Sequence, residues 1–338
     1  MQRINWMDWA KFLAVALTIP CHVPQEHGAQ PVTYIEVFLL QVLFFNSGYL
    51  KKVSNDWKGN LHKYWHGLVI PYLIYNLLFY PYWLTKFYME NHTMPTMEEA
   101  LHPIAGMLFL QIETSISCWL NPVTYFLAAL LIMHLILDFC NSIRHGQWLM
   151  VGLCILGVVL YTVSKYNYFT RDLVTVGIFK SIPFYYMGHL CRRHHIFEKC
   201  NPRKDTPLFF LILPLSIVLF HYHATCEAHF AQHMVSFWPA VLFGLLAFIY
   251  FCKILNGIRS SIIVNYSNGT MAFIGLHWMI TGSIRYGILK PILHVPTDYV
   301  YSPVEAYMIG VVVTLLLYPI ILFFLKKAPW MLGKQSFK

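Results

Sequence analysis

The chain has 338 residues, 57% of them hydrophobic and only 12% charged, with a mean hydropathy of +0.52. A soluble domain carries about 25% charged residues, and the deficit here runs the whole length, which excludes a soluble globular enzyme and defines a polytopic membrane protein. The formal net charge of +9 is not the footprint of a nucleic-acid binder, because the bases sit in short loops between apolar runs, where they orient helices.

The predicted elements are helices. Ten segments approach the ~20 residues needed to cross a bilayer: 6–24, 33–50, 65–87, 122–140, 148–165, 174–191, 207–222, 235–256, 268–288 and 304–325. The fold class is therefore all-α, a multi-pass bundle of about ten transmembrane helices forming one domain over 1–338. The stretch 104–118 is apolar but short and reads as a re-entrant or interfacial helix, with an eleventh span as the alternative. Basic residues follow every second span: Lys51, Lys52, Lys58 and Lys63; then Arg192, Arg193, Lys199, Arg203 and Lys204; then Lys253 and Arg259; then Lys326, Lys327, Lys334 and Lys338. The positive-inside rule puts these loops, and both termini, in the cytoplasm. An extra span at 104–118 would move the Arg192 cluster outside, which favours ten. Arg3 and a short apolar run resemble a signal peptide, but Asp8 and Lys11 interrupt it and no small-x-small site follows, so the segment reads as a retained helix.

The first span, WMDWAKFLAVALTIPCHV, carries Asp8, Lys11 and His22. A charge near the bilayer centre costs ~2.5–3.5 kcal/mol or more. Lys11 and His22 are about three turns apart, on nearly one face and roughly 16 Å apart along the axis, and Asp8, Val15 and Thr18 share that stripe. Such a stripe points into a protein interior. His22 has the side chain of a general base at neutral pH, and Pro20 is expected to kink the helix before it; a histidine hydrogen-bonded to a neighbouring helix is the plainer reading. Lys11 reads either as a ligand for an anion entering from the cytosol or as a snorkelling lysine, with Asp8 a partner in both.

Farther along, FFNSGYLKK places Asn46 and Ser47 at the cytosolic end of the second span, level with Lys11, and Gly48 permits close helix approach. His134 and Asp138 read as a structural pair in the fourth span. His277 lies near the middle of the ninth, where an imidazole must find a partner or line a cavity. His221, His223, Cys226, Glu227, His229 and His233 invite a metal reading, but no metalloenzyme signature accompanies the His229–His233 spacing, and a solvated outer loop is preferred. The eight cysteines form no CxxC pair, and no phosphate-binding loop or nucleophile elbow is present.

Taken together these segments resemble the membrane acyltransferase-3 family, especially its sugar O-acetyltransferase branch related to fucose 4-O-acetylase. DWAKFLAVALTIPCH matches an Asp, a basic residue three positions on and a His after ten more: Asp8, Lys11, His22. FFNSGYLKK resembles the second-helix Phe-Phe-x-Ser-Gly motif. YWHGLVIPYLIYNLL resembles the segment ending in Ile-Pro-Tyr, NPVTYFLAALL the Trp-Phe-Leu segment with Tyr125 in place of Trp, and IPFYYMGHL the Pro-Phe-Phe-x-x-Gly segment. SNGTMAFIGLHWMI resembles the late Gly-x-x-Ser/Thr motif with its His, here His277. The Arg-x-x-Arg pair many members carry before Ile-Pro-Tyr is absent, and His62, Lys63 and His66 stand there out of register. Lys11 replaces the commoner Arg, keeping charge but losing bidentate phosphate geometry.

The resemblance implies an enzyme that moves an acyl group, acetyl by preference, from cytosolic acyl-CoA to a hydroxyl of an envelope polysaccharide or lipid-linked sugar, in the inner (cytoplasmic) membrane. His22 would be general base, or carrier of a covalent acyl group; Lys11 and Asp8 would serve catalysis. Lys11, Asn46, Ser47, Lys63 and His66 would hold the donor, and His277 the acceptor. The expected partners are acyl-CoA (acetyl-CoA), the glycan acceptor, membrane lipid and a second copy in a homo-oligomer, with no metal and no nucleic acid. The rival from another class is a transporter or flippase of a lipid-linked glycan; the inverted repeats and paired broken helices common in transporters are not visible.

Overall fold

The structure is a computed structural model that describes residues 3–25, 31–54, 56–111, 113–167, 173–226, 230–296 and 299–334, with side chains at all of these except 31, 32, 163–167, 173 and 230–234. Among the described residues the fold is all-helical, with only two isolated β-bridges. In chain order the helices are α1 (Asn5–Cys21), α2 (Pro31–Leu50), α3 (Trp57–Tyr64), a π-helical turn (Trp65–Val69), α4 (Ile70–Asn91), α5 (Met97–Leu108), α6 (Tyr125–Ser142), α7 (Gly146–Asn167), α8 (Leu173–Arg193), α9 (Pro202–Thr225), α10 (Phe230–Ile254), α11 (Ser261–Asn268), α12 (Thr270–Ile284), a second π turn (Arg285–Leu289), α13 (Lys290–Leu293) and α14 (Pro303–Lys327). Five segments among the described residues are long and apolar enough to cross a membrane: Trp57–Asn91, Pro122–Ser142, Pro202–Thr225, Val235–Gly257 and Pro303–Lys327.

Two expectations change. Pro20 does not kink a continuing helix. α1 ends one residue after Pro20, and His22 is its C-cap, its N–H reaching back to Ile19 O at 3.0 Å. Lys253, grouped above with the loop bases, is buried in the last turn of α10. Its Nζ is 2.7 Å from Asp205 Oδ1, and the other Asp205 oxygen accepts the Asn201 N–H at 2.7 Å. A charge can be buried this way because its partner is itself hydrogen-bonded.

The helices gather into two compact units. The first comprises Met1–Lys51, Phe184–Thr270 and Ser283–Tyr318. Here α9 and α10 form an antiparallel pair, and α1 packs on α2, α10 and α11. A close crossing joins α2 to the part of α8 that begins at Phe184. A Cβ added at Gly48 would overlap the Tyr185 carbonyl oxygen, and one at Gly188 would overlap that of Phe45. Each glycine thus admits the backbone of the other's helix, as small residues do in membrane bundles.

The second unit comprises Lys52–Pro183, Met271–Gly282 and Pro319–Lys338. α5 begins with a capping box, Thr96 with Glu99, and ends after 12 residues, about 18 Å of helix, too short to cross ~30 Å of hydrocarbon. The chain turns back through Leu110 and Gln111, both at positive φ (56° and 64°). Gln111, fully buried, holds that return. Its amide donates to Asn76 Oδ1 at 2.8 Å and accepts the Leu120 N–H at 3.1 Å, while Asn76 donates to Thr124 Oγ1 at 2.9 Å. Satisfied in this way, a buried polar network fixes one arrangement of α4, α6 and the loop between them. The stretch at 104–118 is accordingly the end of a short helix and a folded-back loop.

Candidate functional site

In the first unit, Asp8 is buried and fully engaged. Arg3 donates to both carboxylate oxygens, Nε to Oδ2 at 2.6 Å and Nη2 to Oδ1 at 2.9 Å, and Ser267 Oγ donates to Oδ1 at 2.6 Å. This carboxylate ties the start of α1 to α11. Lys11 is half-buried one turn later, and His22 is half-buried at the helix end. α14 approaches there closely: a Cβ on Gly310 would stand 2.8 Å from Pro20 Cγ.

On α2, Ser47 Oγ donates to the Leu43 carbonyl at 2.9 Å, so its proton is spent within the helix. Asn46 differs. It is 1% exposed, and neither side-chain atom has a hydrogen-bond partner; the amide of Gln41, fully buried, is in the same state. An unmade hydrogen bond on a buried amide costs about 1–3 kcal/mol, so these groups mark a place where a polar ligand would be worth more than packing.

In the second unit, Lys63 and His66 come together. They line a cavity of about 1130 Å³ with His62, Lys326, Lys327, Lys334, Trp330, Gly59 and Gly333 among the other lining residues. The wall follows from local structure. Asp56 caps α3, its Oδ1 accepting the Gly59 N–H at 2.9 Å, and α3 passes into the π turn that carries His66. The rings of His62 and His66 lie 4.4 Å apart. The opposite wall is the chain after α14. Tyr75 Oη donates to Met331 O at 2.9 Å, pinning the 3-10 turn Pro329–Leu332 to α4. Gly333 then adopts φ 68°, and a Cβ there would be 2.6 Å from Gly67 O. The two glycines let the tail close on the π turn, which brings Lys334 to the cavity. Four lysines and two histidines with an exposed tryptophan make a strongly electropositive pocket, suited to a polyanion.

Sequence reasoning found Lys63 and His66. It read Lys326, Lys327 and Lys334 only as orienting charges, because the turn that folds them back depends on Tyr75, Gly67 and Gly333, far apart in sequence. The Gly at 333, closing the run Pro329-Trp330-Met331-Leu332, was the available signal.

His277, also in this unit, is buried in α12 with Nδ1 2.5 Å from the Phe273 carbonyl oxygen. That back-bond puts the proton on Nδ1 and leaves Nε2 as the acceptor. Two residues earlier, Asn121 Nδ2 donates to Gly275 O at 2.9 Å. Asp138 accepts from Tyr64 Oη and from Asn60 Nδ2, and the Tyr64 ring lies tilted against the His134 ring at 5.3 Å, so this acidic group serves the packing of α3 on α6. Among the described residues no group of three or more His, Cys, Asp or Glu is placed to hold a metal. His229 and Glu227 lie outside the described residues, as does the side chain of His233.

The described residues are all-helical and strongly apolar, with a basic cavity in the second unit. Residues 4–326 match the family model described as an acyltransferase domain. The chain belongs to the acyltransferase-3 family. No curated protein and no solved structure matches it.

Proposed function

We propose that the protein is an acyl-CoA-dependent O-acyltransferase of the inner membrane, moving an acetyl group to a hydroxyl of an envelope polysaccharide or lipid-linked sugar. The observation that carries this reading is the basic cavity around Lys63, His66, Lys326, Lys327 and Lys334. Coenzyme A bears a diphosphate and a further phosphate on its nucleotide, and the lysines match those charges. Trp330 offers a face for the adenine. Within the first unit, Lys11 and the orphaned Asn46 carboxamide offer a cation and an amide to a polar ligand.

The chemistry needs one base. His22 takes the proton of the acceptor hydroxyl as its oxygen attacks the thioester carbonyl carbon, and the tetrahedral intermediate collapses to the ester with loss of the CoA thiolate, which the imidazolium reprotonates. His277, with Nδ1 committed to the Phe273 carbonyl, steadies the acceptor. Asp8 acts through position, by holding α1 against α11. In this reading about ten helices cross the membrane, both termini are cytoplasmic, and the cavity faces the cytosol.

The test uses purified full-length protein with radiolabelled acetyl-CoA. Wild type should bind it, and Lys326→Gln with Lys327→Gln should weaken binding at least tenfold. His22→Ala should bind normally but lose transfer, with its melting temperature unchanged. Absence of acetyl-CoA binding by wild type sinks the donor assignment; full transfer by His22→Ala sinks the base.

A further inference from the structure

Beyond His22 the chain turns through Val23, Pro24 and Gln25, and this loop has a partner the sequence did not suggest. Tyr301 donates its backbone N–H to Pro24 O at 2.9 Å and forms an isolated parallel bridge with Gln25. Arg285 packs its guanidinium over the Tyr301 ring at 5.7 Å and over Tyr286 at 5.5 Å. The ring of Tyr299 meets that of Tyr301 edge-on at 4.9 Å. All of these residues belong to the first unit.

Three features of this cluster are unusual. Arg285 is half-buried and its Nε is fully enclosed without an acceptor, and no carboxylate among the described residues forms an ion pair with it. An enclosed Nε–H without an acceptor is costly, and two cation–π contacts to the same guanidinium recover only ~0.5–2 kcal/mol each. Gln25 has the complementary defect. Its Nε2 is spent on Pro20 O at 2.7 Å and Val23 O at 3.2 Å, while its Oε1 is buried with nothing to accept from. Finally, Arg285 opens a five-residue π turn, a local irregularity that recurs at functional sites.

An idle donor with a positive charge and an idle acceptor flank one tyrosine, beside the loop that leaves His22. A ligand that satisfies both carries an oxyanion and a free hydroxyl, as an acidic saccharide does. We propose that Arg285 and Gln25 form a binding subsite for an oxyanion-bearing sugar, with Arg285 taking the anionic group and Gln25 accepting from a hydroxyl. The assignment rests on the reading of the chain as a sugar O-acyltransferase, and makes this the acceptor end of the same site. The oxyanion is a sugar carboxylate or the phosphate of a linked sugar, chemically one requirement with two sources.

The experiment measures binding of three probes to the full-length protein in detergent: methyl β-glucuronide, glucose 1-phosphate and neutral methyl β-glucoside. At least one charged probe should bind ten times more tightly than the glucoside, and which one names the source. Arg285→Gln should abolish that preference. Gln25→Leu should weaken charged and neutral probes alike. Should Arg285→Gln fail to fold, Arg285→Lys retains charge but loses the paired donors, and the preference should fall severalfold. Acetyl-CoA binding should be unchanged in every variant. A wild type that binds neither charged probe, or holds the glucoside as tightly, overturns the subsite; so does an Arg285→Gln protein with the preference intact. Loss of acetyl-CoA binding in wild type would instead defeat the donor reading and leave the sugar result standing.

Discussion

At the scale of single residues, two acidic and basic groups on one helix separate by what they touch. Asp8 has three hydrogen bonds from Arg3 and Ser267, so Asp8→Asn should lower stability by about 1–3 kcal/mol, the cost of disturbing a buried, charge-assisted set. Thermal unfolding in detergent checks this, and transfer per folded molecule should fall far less than in His22→Ala. A loss of turnover as complete as that of His22→Ala, with no change in melting temperature, would place Asp8 in the chemistry. Gly333→Ala is a second case. A non-glycine residue at φ 68° pays about 1–2 kcal/mol, and its methyl would press on Gly67 O at 2.6 Å. The tail should lift, displacing Lys334, so the KM for acetyl-CoA should rise severalfold while kcat holds. His22 and Lys11 stood out in the sequence because an ionisable residue in an apolar run is unusual, and Lys63 because it stands in the basic loop before Ile-Pro-Tyr. Arg285, Gln25 and the C-terminal lysines were not, since their meaning depends on a tyrosine or a glycine contributed from elsewhere in the chain.

At the scale of elements, the two glycines that seat α2 against α8 explain why their motifs read alike. Each ends an aromatic run, and each removes a methyl that would strike the other helix's carbonyl. Gly48→Ala and Gly188→Ala should each cost about 1–3 kcal/mol by overpacking. Both force the same crossing apart, so the double variant should cost clearly less than the sum; additive losses in thermal unfolding would mean that the two contacts are independent. The short helix α5 carries a pH signature. The Thr96 backbone N–H and hydroxyl hold the Glu99 carboxyl below its ordinary value of 4.5. A depressed folded value means the cap is complete above the unfolded value and is lost as pH falls through the folded one. Hydrogen exchange at 97–100, corrected for intrinsic rates, should therefore lose protection only below pH 4.5, and Glu99→Gln should flatten that dependence. Helix positions were readable from apolar runs, since every predicted span contains a helix. The fold-back after α5 was not, because its support is Gln111, a buried amide whose partners come from α4 and the loop before α6.

For the whole molecule, hydropathy and architecture give different counts of membrane crossings, and the physical reason is that they measure different surfaces. Five segments among the described residues are apolar and long enough to meet lipid on their own account. Other helices, such as α1 with 17 residues and α12 with 15, are shorter, and α1 carries Asp8 and Lys11. A helix enclosed by its neighbours need not be apolar on every face, so in the ten-span reading such a segment would cross at a cost its bundle offsets. Parity distinguishes the two counts. Five crossings would leave the termini on opposite sides of the membrane; ten would leave them on one. Ten also gathers the loops holding Lys52, Arg193 and Arg259 with the end at Lys334 on the cytoplasmic side, as the positive-inside rule requires. Epitopes inserted after Lys52, between Arg193 and Asn201, after Gly257 and at the C-terminus should react with antibody only when the cytoplasmic face is open. Epitopes at 92–96 and 294–296 should react only from the other face. If the epitope at 92–96 and that in the Arg193 loop appeared on the same side, an even number of crossings would separate them, against the three of the ten-span count. The basic cavity and the charged loop after α8 would then face opposite compartments, and cytosolic delivery of the donor would fail with them.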